Sequence, residues 1–222
     1  MNGKLIVVDG LDGSGKSTQQ EALVNALIQS GRQVQGISFP DYKSPSSTLI
    51  RMYLKGDFGQ SPADVNAYAA SSFYAADRYA SYKQHWGKAY HEGTDTVAAR
   101  YTSSNIFHQM CKLPSVEWEP FITWVLDFEY AKMEIPKPDI VFFLDMPPEV
   151  ARDLISFRYG GDESKRDIHE KDFAYLMHCR ECALYAAAKL QYKIINCAED
   201  GRPRAIGDIG REILQILGDE LF

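Results

Sequence analysis

The segment from Gly10 to Ser17 constrains this chain more than any other. It reads G-L-D-G-S-G-K-S and matches the pattern G-x-x-x-x-G-K-[ST] at every specified position. The short β-branched run Leu5–Val8 precedes it, and apolar residues at helical spacing follow it. Glycines let a backbone curve tightly with its N–H groups pointing inward, and the start of a helix adds partial positive charge. The segment therefore predicts a phosphate-binding loop between a buried strand and a helix, in preference to an ordinary Gly-rich turn.

The residues of this loop point to a bound nucleoside triphosphate. The Lys16 side chain can reach the β- and γ-phosphates, and the Ser17 hydroxyl can ligate Mg²⁺. The N-K-x-D motif that a GTPase would use to bind guanine does not occur in the sequence. The loop alone does not identify the molecule that receives the phosphoryl group. The predicted nucleotide-binding residues are Gly10, Asp12, Gly13, Ser14, Gly15, Lys16, Ser17 and Thr18.

Short apolar runs alternate with helical patterns along the whole chain. Strands are predicted at Leu5–Val8, Val34–Phe39, Thr96–Ala99, Ile140–Leu144 and Lys193–Asn196. Helices are predicted at Ser17–Ser30, Pro45–Leu54, Ala63–Trp86, Trp118–Met133, from Pro147 onward, along Phe173–Ala187 and at Ile206–Leu217. This alternation predicts an α/β fold with a mainly parallel sheet. No break in composition marks a second domain, so we expect one domain over residues 1–222, with the Gly-rich, charged loop Tyr159–Asp167 as a mobile flap.

Composition excludes several classes of protein. The chain is 45% hydrophobic and 24% charged, as in an ordinary globular protein, and no apolar run is long enough to span a membrane. The formal net charge is −6 with no basic stripe, which argues against a nucleic-acid polymer as partner. The four cysteines form a single C-x-x-C, so we expect buried thiols in a reducing cytoplasm rather than a zinc site.

Further segments make a resemblance to a known family specific. The segments are Gly10–Thr18, Phe39–Tyr42, Ala75–Arg78, Arg100–Asn105, Lys137–Ile140 and Asp167–Glu170. In this order they resemble the thymidylate kinases over nearly the whole chain, and Gly13 resembles the bacterial type. The resemblance implies a P-loop NTPase fold with a parallel five-stranded sheet flanked by helices. It also implies phosphoryl transfer from Mg·ATP to dTMP, a helix-packed homodimer, and a lid near residues 157–168 whose basic residues Arg158, Lys165 and Arg166 close over ATP.

The same resemblance implies roles for individual residues. Arg78 and Arg100 would grip the acceptor phosphate, as an arginine fork suits phosphate oxygens. Asp12 would face the sugar 3′-hydroxyl and, with Ser17, the metal. Tyr74 or neighbouring Phe73 would stack on the base. The implied catalytic residues are Lys16, Arg78, Arg100, Arg158 and Arg166. Asn105 and Gln109 would read the thymine edge, and Tyr42 and His108 would line the sugar pocket. The full set of implied acceptor-binding residues is Asp12, Phe39, Pro40, Tyr42, Phe73, Tyr74, Arg78, Arg100, Ser104, Asn105, His108, Gln109 and Glu170.

Glu170 has a second reading in the sequence. Asp167 and Glu170 have the spacing of a helix cap and its N3 carboxylate, and one residue could both cap the helix and approach the metal or substrate.

Two positions depart from the family pattern. Ala99 precedes Arg100 where thymidylate kinases usually carry an aspartate that organises magnesium and the phosphate-binding arginine. Asp41 follows Phe39-Pro40 where many relatives carry an arginine. Either Lys43 or Arg51 compensates, or the acceptor phosphate has one cation fewer.

Two alternative functions remain open at this stage. One is another P-loop enzyme, such as a deoxynucleoside kinase, or an ATPase that uses Phe142–Asp145 as its Walker-B strand. The other is a nucleotide-binding protein with little turnover, which the loss of the aspartate at Ala99 motivates.

Overall fold

A computed structural model describes residues 2–158, 160, 162 and 167–221 of the chain. Its main sheet has five parallel strands in the order β2-β3-β1-β4-β5, which confirms the predicted α/β fold. The strands are β1 (Leu5–Gly10), β2 (Val34–Ser38), β3 (Asp95–Ala99), β4 (Ile140–Asp145) and β5 (Lys193–Asn196), followed by a small antiparallel hairpin of β6 (Ala198–Glu199) and β7 (Arg202–Pro203).

Helices cover both faces of the sheet. The helices are α1 (Lys16–Gln29), α2 (Thr48–Lys55), α3 (Ala67–Ser81), α4 (Gly87–His91), α5 (Thr102–Met110), α6 (Trp118–Leu126), α7 (Pro148–Arg158), α8 (Ile168–Lys171), α9 (Phe173–Lys189) and α10 (Ile206–Leu221). One apolar cluster joins the sheet to α1 and α10, and another joins it to α5, α6 and α9. Among the described residues, no helix has the length and apolar character needed to cross a membrane.

Two of the predicted helices are interrupted. The predicted helix Ala63–Trp86 begins at Ala67 and passes into a π-helical turn at Tyr82–Trp86. The predicted helix Trp118–Met133 passes into a second π-helical turn at Asp127–Lys132. The extra residue in a π turn shifts the helical face that follows, and such turns are frequent at functional sites.

The carboxyl ends of β1 and β3 are adjacent, because Val8 pairs with Ala99 in register. β1 therefore delivers the Gly-rich loop, and β3 delivers Arg100, to the same edge of the sheet. Open α/β sheets bind their ligands at this edge. All four cysteines are buried with free thiols, as expected.

Candidate active site

A cleft at this edge has two connected compartments. The inner compartment is lined by Asp12, Phe39, Pro40, Tyr42, Leu54, Tyr74, Arg78, Arg100, Ser104, Asn105, His108, Gln109, Asp167 and His169. The outer compartment is lined by Asp12, Gly13, Gly15, Lys16, Ser17, Thr18, Ser38, Phe39, Pro40, Tyr42, Arg100, Asp167 and Glu170. Because Asp12 and Arg100 belong to both compartments, they lie at the junction.

The loop before α1 leaves room for phosphate. Gly13 and Gly15 have φ of 78° and 85°, conformations that side chains disfavour. A Cβ atom on Gly15 would meet nothing within 4 Å, so the space in front of the loop is open. Among the described residues, no side chain caps the N-terminus of α1. The N–H groups of its first turn and the helix dipole therefore suit the phosphates of ATP.

The side chains of this loop suit the same ligand. Lys16 is buried, and its Nζ donates to the Leu11 carbonyl at 2.6 Å. Ser17 and Thr18 are exposed at the start of α1. The Ser17 hydroxyl and the Asp12 carboxylate are oxygen ligands of the kind that Mg²⁺ prefers, so these two residues would hold the metal beside the nucleotide phosphates.

Arg100 has a backbone conformation that is rare for a residue with a side chain. Its φ is 67°, and such strain collects at functional sites. The guanidinium forms an ion pair with Asp12, and its Nη1 lies 3.2 Å from His108 Nε2 and 3.4 Å from Ser104 Oγ. Burial alone would raise the pKa of the Asp12 carboxyl, but the charges of Arg100 and Lys16 outweigh it and hold that pKa well below its usual value.

Asp9 supports this arrangement from behind, and sequence analysis did not single it out. Its carboxylate is fully buried and accepts from Ser103 Oγ at 2.5 Å and Ser104 Oγ at 2.8 Å. Ser104 in turn lies against Arg100. Ala99 is itself 2% exposed at the end of β3. The buried Asp9 carboxylate thus contacts Arg100 through Ser104. Asp9 lies on β1, the strand that pairs with β3, and β3 ends in Ala99.

The inner compartment is organised around Glu129, another residue that sequence analysis missed. Glu129 lies in the second π-helical turn and is fully buried. Arg78 donates to it through Nε and Nη2, both at 2.6 Å. Thr102 Oγ1 donates at 2.9 Å and Asn105 Nδ2 at 2.8 Å. Arg78 lines the inner compartment only, together with the predicted base-reading residues Asn105 and Gln109.

The other predicted acceptor residues divide between the cleft and the core. Tyr74 lines the inner compartment, whereas Phe73 packs against Phe58 with ring centroids 5.8 Å apart. Gln109 also lines it, and its Oε1 is a buried acceptor without a hydrogen-bond partner among the described residues. Tyr42 is 54% exposed at the mouth. Of the two predicted stacking residues, Tyr74 is thus the one that lines the compartment where a base would bind.

Two stacked histidines, His108 and His169, complete the wall, and sequence analysis assigned only His108. Their rings lie 5.8 Å apart at an interplanar angle of 14°. The Tyr53 hydroxyl lies 2.8 Å from His169 Nε2 and accepts from Lys112 Nζ at 2.9 Å. Burial, together with Lys112, lowers the pKa of His169 to about 3, and burial lowers that of His108 well below its usual value. Both rings are therefore neutral at pH 7.

The lid prediction is only partly within the described residues. Lys165 and Arg166, and the side chain of Arg158, lie outside them. Asp167 caps α8 by accepting from the N–H groups of His169 and Glu170, and Glu170 completes the predicted capping box. Burial, with Asp12 next, raises the pKa of Asp167 to about 7. Asp167 and Glu170 both line the outer compartment.

The loop that begins at Asp41 does not bring a cation into the described cleft. Asp41 Oδ1 accepts from the N–H of Lys43, and Arg51 donates to the carbonyls of Tyr42 and Ser44. Neither Lys43 nor Arg51 lines the described parts of either compartment. Arg51 holds the loop together instead of facing the cleft.

Asp145, at the end of the strand that resembles a Walker-B strand, is held elsewhere. Arg180 of α9 binds both of its carboxylate oxygens, at 2.7 and 2.9 Å. Asp145 is not among the residues that line the described cleft.

Comparison with known proteins agrees with this geometry. The thymidylate kinase family profile matches residues 8–202. A thymidylate kinase of Mycobacterium tuberculosis is 30% identical over 190 residues, covering 84% of this chain and 86% of its own. One from Danio rerio is 28% identical over 214 residues, covering 95% and 88%. The solved thymidylate kinase of Candida albicans superposes with a TM-score of 0.69 at 22% identity over 98% and 92% of the chains, which shows a shared fold.

These findings establish the class. The fold is that of the P-loop phosphotransferases, with a nucleotide-binding loop and an adjoining polar pocket. The chain belongs to the thymidylate kinase family.

Proposed function

We propose that this protein transfers the γ-phosphoryl group of Mg·ATP to the 5′-phosphate of dTMP, giving dTDP and ADP. The observation that carries the proposal is the continuity of the cleft. Arg100 and Asp12 line both compartments, so a nucleotide at the Gly-rich loop and an acceptor in the inner compartment would meet beside them. Phosphoryl transfer depends mainly on this alignment and on charge stabilisation.

The polar groups of the inner compartment favour thymine. Asn105 Nδ2 donates to Glu129 and to the Ser71 carbonyl, which leaves Oδ1 to accept a hydrogen bond. Arg78 uses Nε and Nη2 on Glu129, which leaves Nη1 to donate. An acceptor beside a donor complements the N3–H and O4 of thymine, while Tyr74 supplies a ring for stacking. We therefore assign Arg78 to the base, and Arg100 alone to the acceptor phosphate among the described cations of the cleft.

The chemical step needs no covalent intermediate. An oxygen of the acceptor phosphate forms a bond to the γ-phosphorus as the bond to the bridging β–γ oxygen breaks, and ADP leaves with that electron pair. Lys16 and the N–H groups of the loop stabilise the charge on the transferred group. Magnesium, held by Ser17 and Asp12 with the phosphates, would add Lewis-acid stabilisation. The basic residues of the lid, Arg158, Lys165 and Arg166, would supply further charge on closure.

The test is ADP release with ATP and a panel of acceptors: dTMP, dUMP, dCMP, dGMP and thymidine. We expect dTMP to be strongly preferred over dCMP and dGMP, and thymidine, which lacks the phosphate that Arg100 binds, to be inert. Turnover with thymidine alone would replace the proposal with a deoxynucleoside kinase. Binding of both ligands without ADP release would replace it with a nucleotide-binding protein.

We also propose that residues 1–222 act as one domain with a lid near residues 157–168, and that two copies pair through α3 and α6. An outward aromatic surface supports the pairing. Tyr68 is 38% exposed, and its ring centroid lies 4.7 Å from that of Trp124. The Trp124 ring in turn stacks on Phe128 with centroids 5.1 Å apart. Light scattering should give a dimer mass for the parent and a monomer for Tyr68→Glu. A monomeric parent would exclude the pairing.

A further inference from the structure

The buried carboxylate of Glu129 has no remaining hydrogen-bonding capacity. Its Oε1 accepts from Arg78 Nη2 and Asn105 Nδ2, and its Oε2 accepts from Arg78 Nε and Thr102 Oγ1. An ionised carboxylate has about four acceptor positions and no donor. Glu129 therefore imposes the donor role on every group that touches it.

This fixes the orientation of the Asn105 side chain. Its amide lies between Glu129 Oε1 at 2.8 Å and the carbonyl oxygen of Ser71 at 3.1 Å. Both neighbours can only accept, so the NH₂ group must face them, and it spends both hydrogens there. Rotating the amide would bring Oδ1 against two other oxygens in a buried site, which is costly. Oδ1 is consequently the atom that remains for a ligand.

The same carboxylate orients Arg78. The side chains of Arg78 and Glu129 are 2% and 0% exposed, and their two parallel bonds hold the guanidinium in one plane. Two of the five guanidinium N–H donors, one on Nε and one on Nη2, bind Glu129. Within the described part of the chain, Nη1 has no hydrogen-bond partner, and Arg78 lines the inner compartment. A ligand there meets a donor from Arg78 beside an acceptor from Asn105.

We infer that Glu129 is a positioning residue that selects a 4-keto pyrimidine over a 4-amino pyrimidine by fixing the polarity of Asn105 and Arg78. This inference rests on the proposed function. Thymine and uracil carry an N–H at N3 beside a carbonyl at C4, which matches the fixed pair. Cytosine carries an acceptor at N3 beside an amine at C4, so it places acceptor against acceptor and donor against donor. Glu129 does not line the cleft and acts through its two neighbours.

The decisive variant is Glu129→Gln, which keeps the shape of the side chain but adds a donor. A glutamine NH₂ at this site must face either Asn105 and Arg78 Nη2 or Thr102 and Arg78 Nε. The Thr102 hydroxyl could accept from this NH₂ and leave Asn105 unchanged, so the variant is combined with Thr102→Val. With that acceptor removed, the NH₂ favours the rotated Asn105 amide, which presents its own NH₂ to the ligand. We expect the preference for dTMP over dCMP, measured as the ratio of kcat/KM values, to fall at least about tenfold. The ratio of the Kd values for the two monophosphates, measured by calorimetry without ATP, should fall in parallel.

Two matched variants separate polarity from stability. Glu129→Asp keeps an acceptor-only carboxylate on a shorter side chain, so it should lose stability but keep the base preference. Thr102→Val removes one donor on the side away from Asn105, so it should also lose stability with the base preference unchanged. Thermal unfolding of each variant shows how much stability it has lost.

The outcomes distinguish this inference from the proposed function. If the parent does not phosphorylate dTMP, the proposed function fails. If the parent does so and folded Glu129→Gln/Thr102→Val keeps the parental dTMP:dCMP ratio, the inference about Glu129 fails alone. Should this double variant not fold, Glu129→Asp still decides, because loss of the base preference with the carboxylate retained would overturn the role of polarity.

Discussion

The two compartments of the cleft treat buried charge in opposite ways. In the inner one, the side chains of Arg78 and Glu129 are 2% and 0% exposed, and every oxygen of the carboxylate has its partners. In the outer one, Arg100 and Asp12 form a pair with side chains 18% and 19% exposed, on a left-handed backbone. Lys16 donates to a loop carbonyl that a phosphate oxygen can replace. The charged side chains of the inner compartment are hydrogen-bonded to one another, whereas those of the outer compartment make contacts that a ligand can replace.

This contrast explains how one cleft combines selectivity with turnover. A base in the inner compartment would meet groups whose orientation is already fixed, so little ordering would accompany binding. Phosphate chemistry needs cations that follow the charge as it moves between two phosphates. Asp12, Lys16 and Arg100 are placed where both phosphates would lie.

The largest effect we expect is on stability, from Arg78→Met. This change leaves Glu129 as an unpaired buried charge, which typically costs about 3–5 kcal/mol. Arg100→Met should cost less, because its pair with Asp12 is partly exposed at the cleft and Lys16 still acts on the Asp12 carboxylate. Urea unfolding of both variants measures the difference. Equal losses would show that the two compartments are not distinct in the way described.

The next effect is on rate, from Lys16→Ala. Removing one charge-stabilising group typically lowers kcat by about 10²–10³, and ATP should also bind more weakly. Lys43→Ala is the control, since Lys43 is exposed and lies outside the described lining of the cleft. Parental ADP release by Lys16→Ala would exclude the assignment of the Gly-rich loop to ATP.

Local patterns predicted the outer compartment better than the inner one. Gly10–Ser17 is contiguous, and its strand–loop–helix context can be read from a few neighbouring residues. Helix α5 was not predicted, because Thr102–Met110 is short and mostly polar, although nearly all of its residues are buried. Glu129 looks in sequence like any surface acid. Its burial follows from tertiary packing and from a π turn, which the spacing of apolar residues in the sequence does not predict.

A third prediction concerns acid sensitivity from His169. The folded-state pKa of about 3 lies below the unfolded value of about 6.5. The unfolded chain therefore binds the proton first, and stability falls as pH drops from about 6.5 toward 3, by up to about 1.4 kcal/mol per pH unit. Asp167 acts in the opposite direction, since its raised pKa makes the folded state bind a proton between about pH 4 and 7.

Replacing this histidine should remove its share of the pH dependence. His169→Gln keeps an acceptor for the Tyr53 hydroxyl, and urea unfolding between pH 4 and 6 should show a slope reduced by about one proton. His85→Gln is the control, because His85 is exposed. An unchanged slope in His169→Gln would mean that His169 is not held neutral.

The smallest expected change is a gain, from Ala99→Asp. Alternation along β3 places Ala99 on the same face as Val97, which packs in the cluster with Leu23 and Leu27 of α1, so a carboxylate there would lie on the side of the nucleotide-binding loop. It would act on the metal's water shell and on Arg100 while leaving the loop that dominates ATP binding unchanged. We expect kcat to rise at least tenfold, which corresponds to an activation barrier lower by about 1.4 kcal/mol, and the affinity for ATP to change little. Steady-state kinetics with dTMP and a separate measurement of ATP binding check both halves. If kcat does not rise and the parent is already fast, Asp9 behind Ser104 is the carboxylate that organises Arg100, and Ser104→Ala should then lower kcat in the parent.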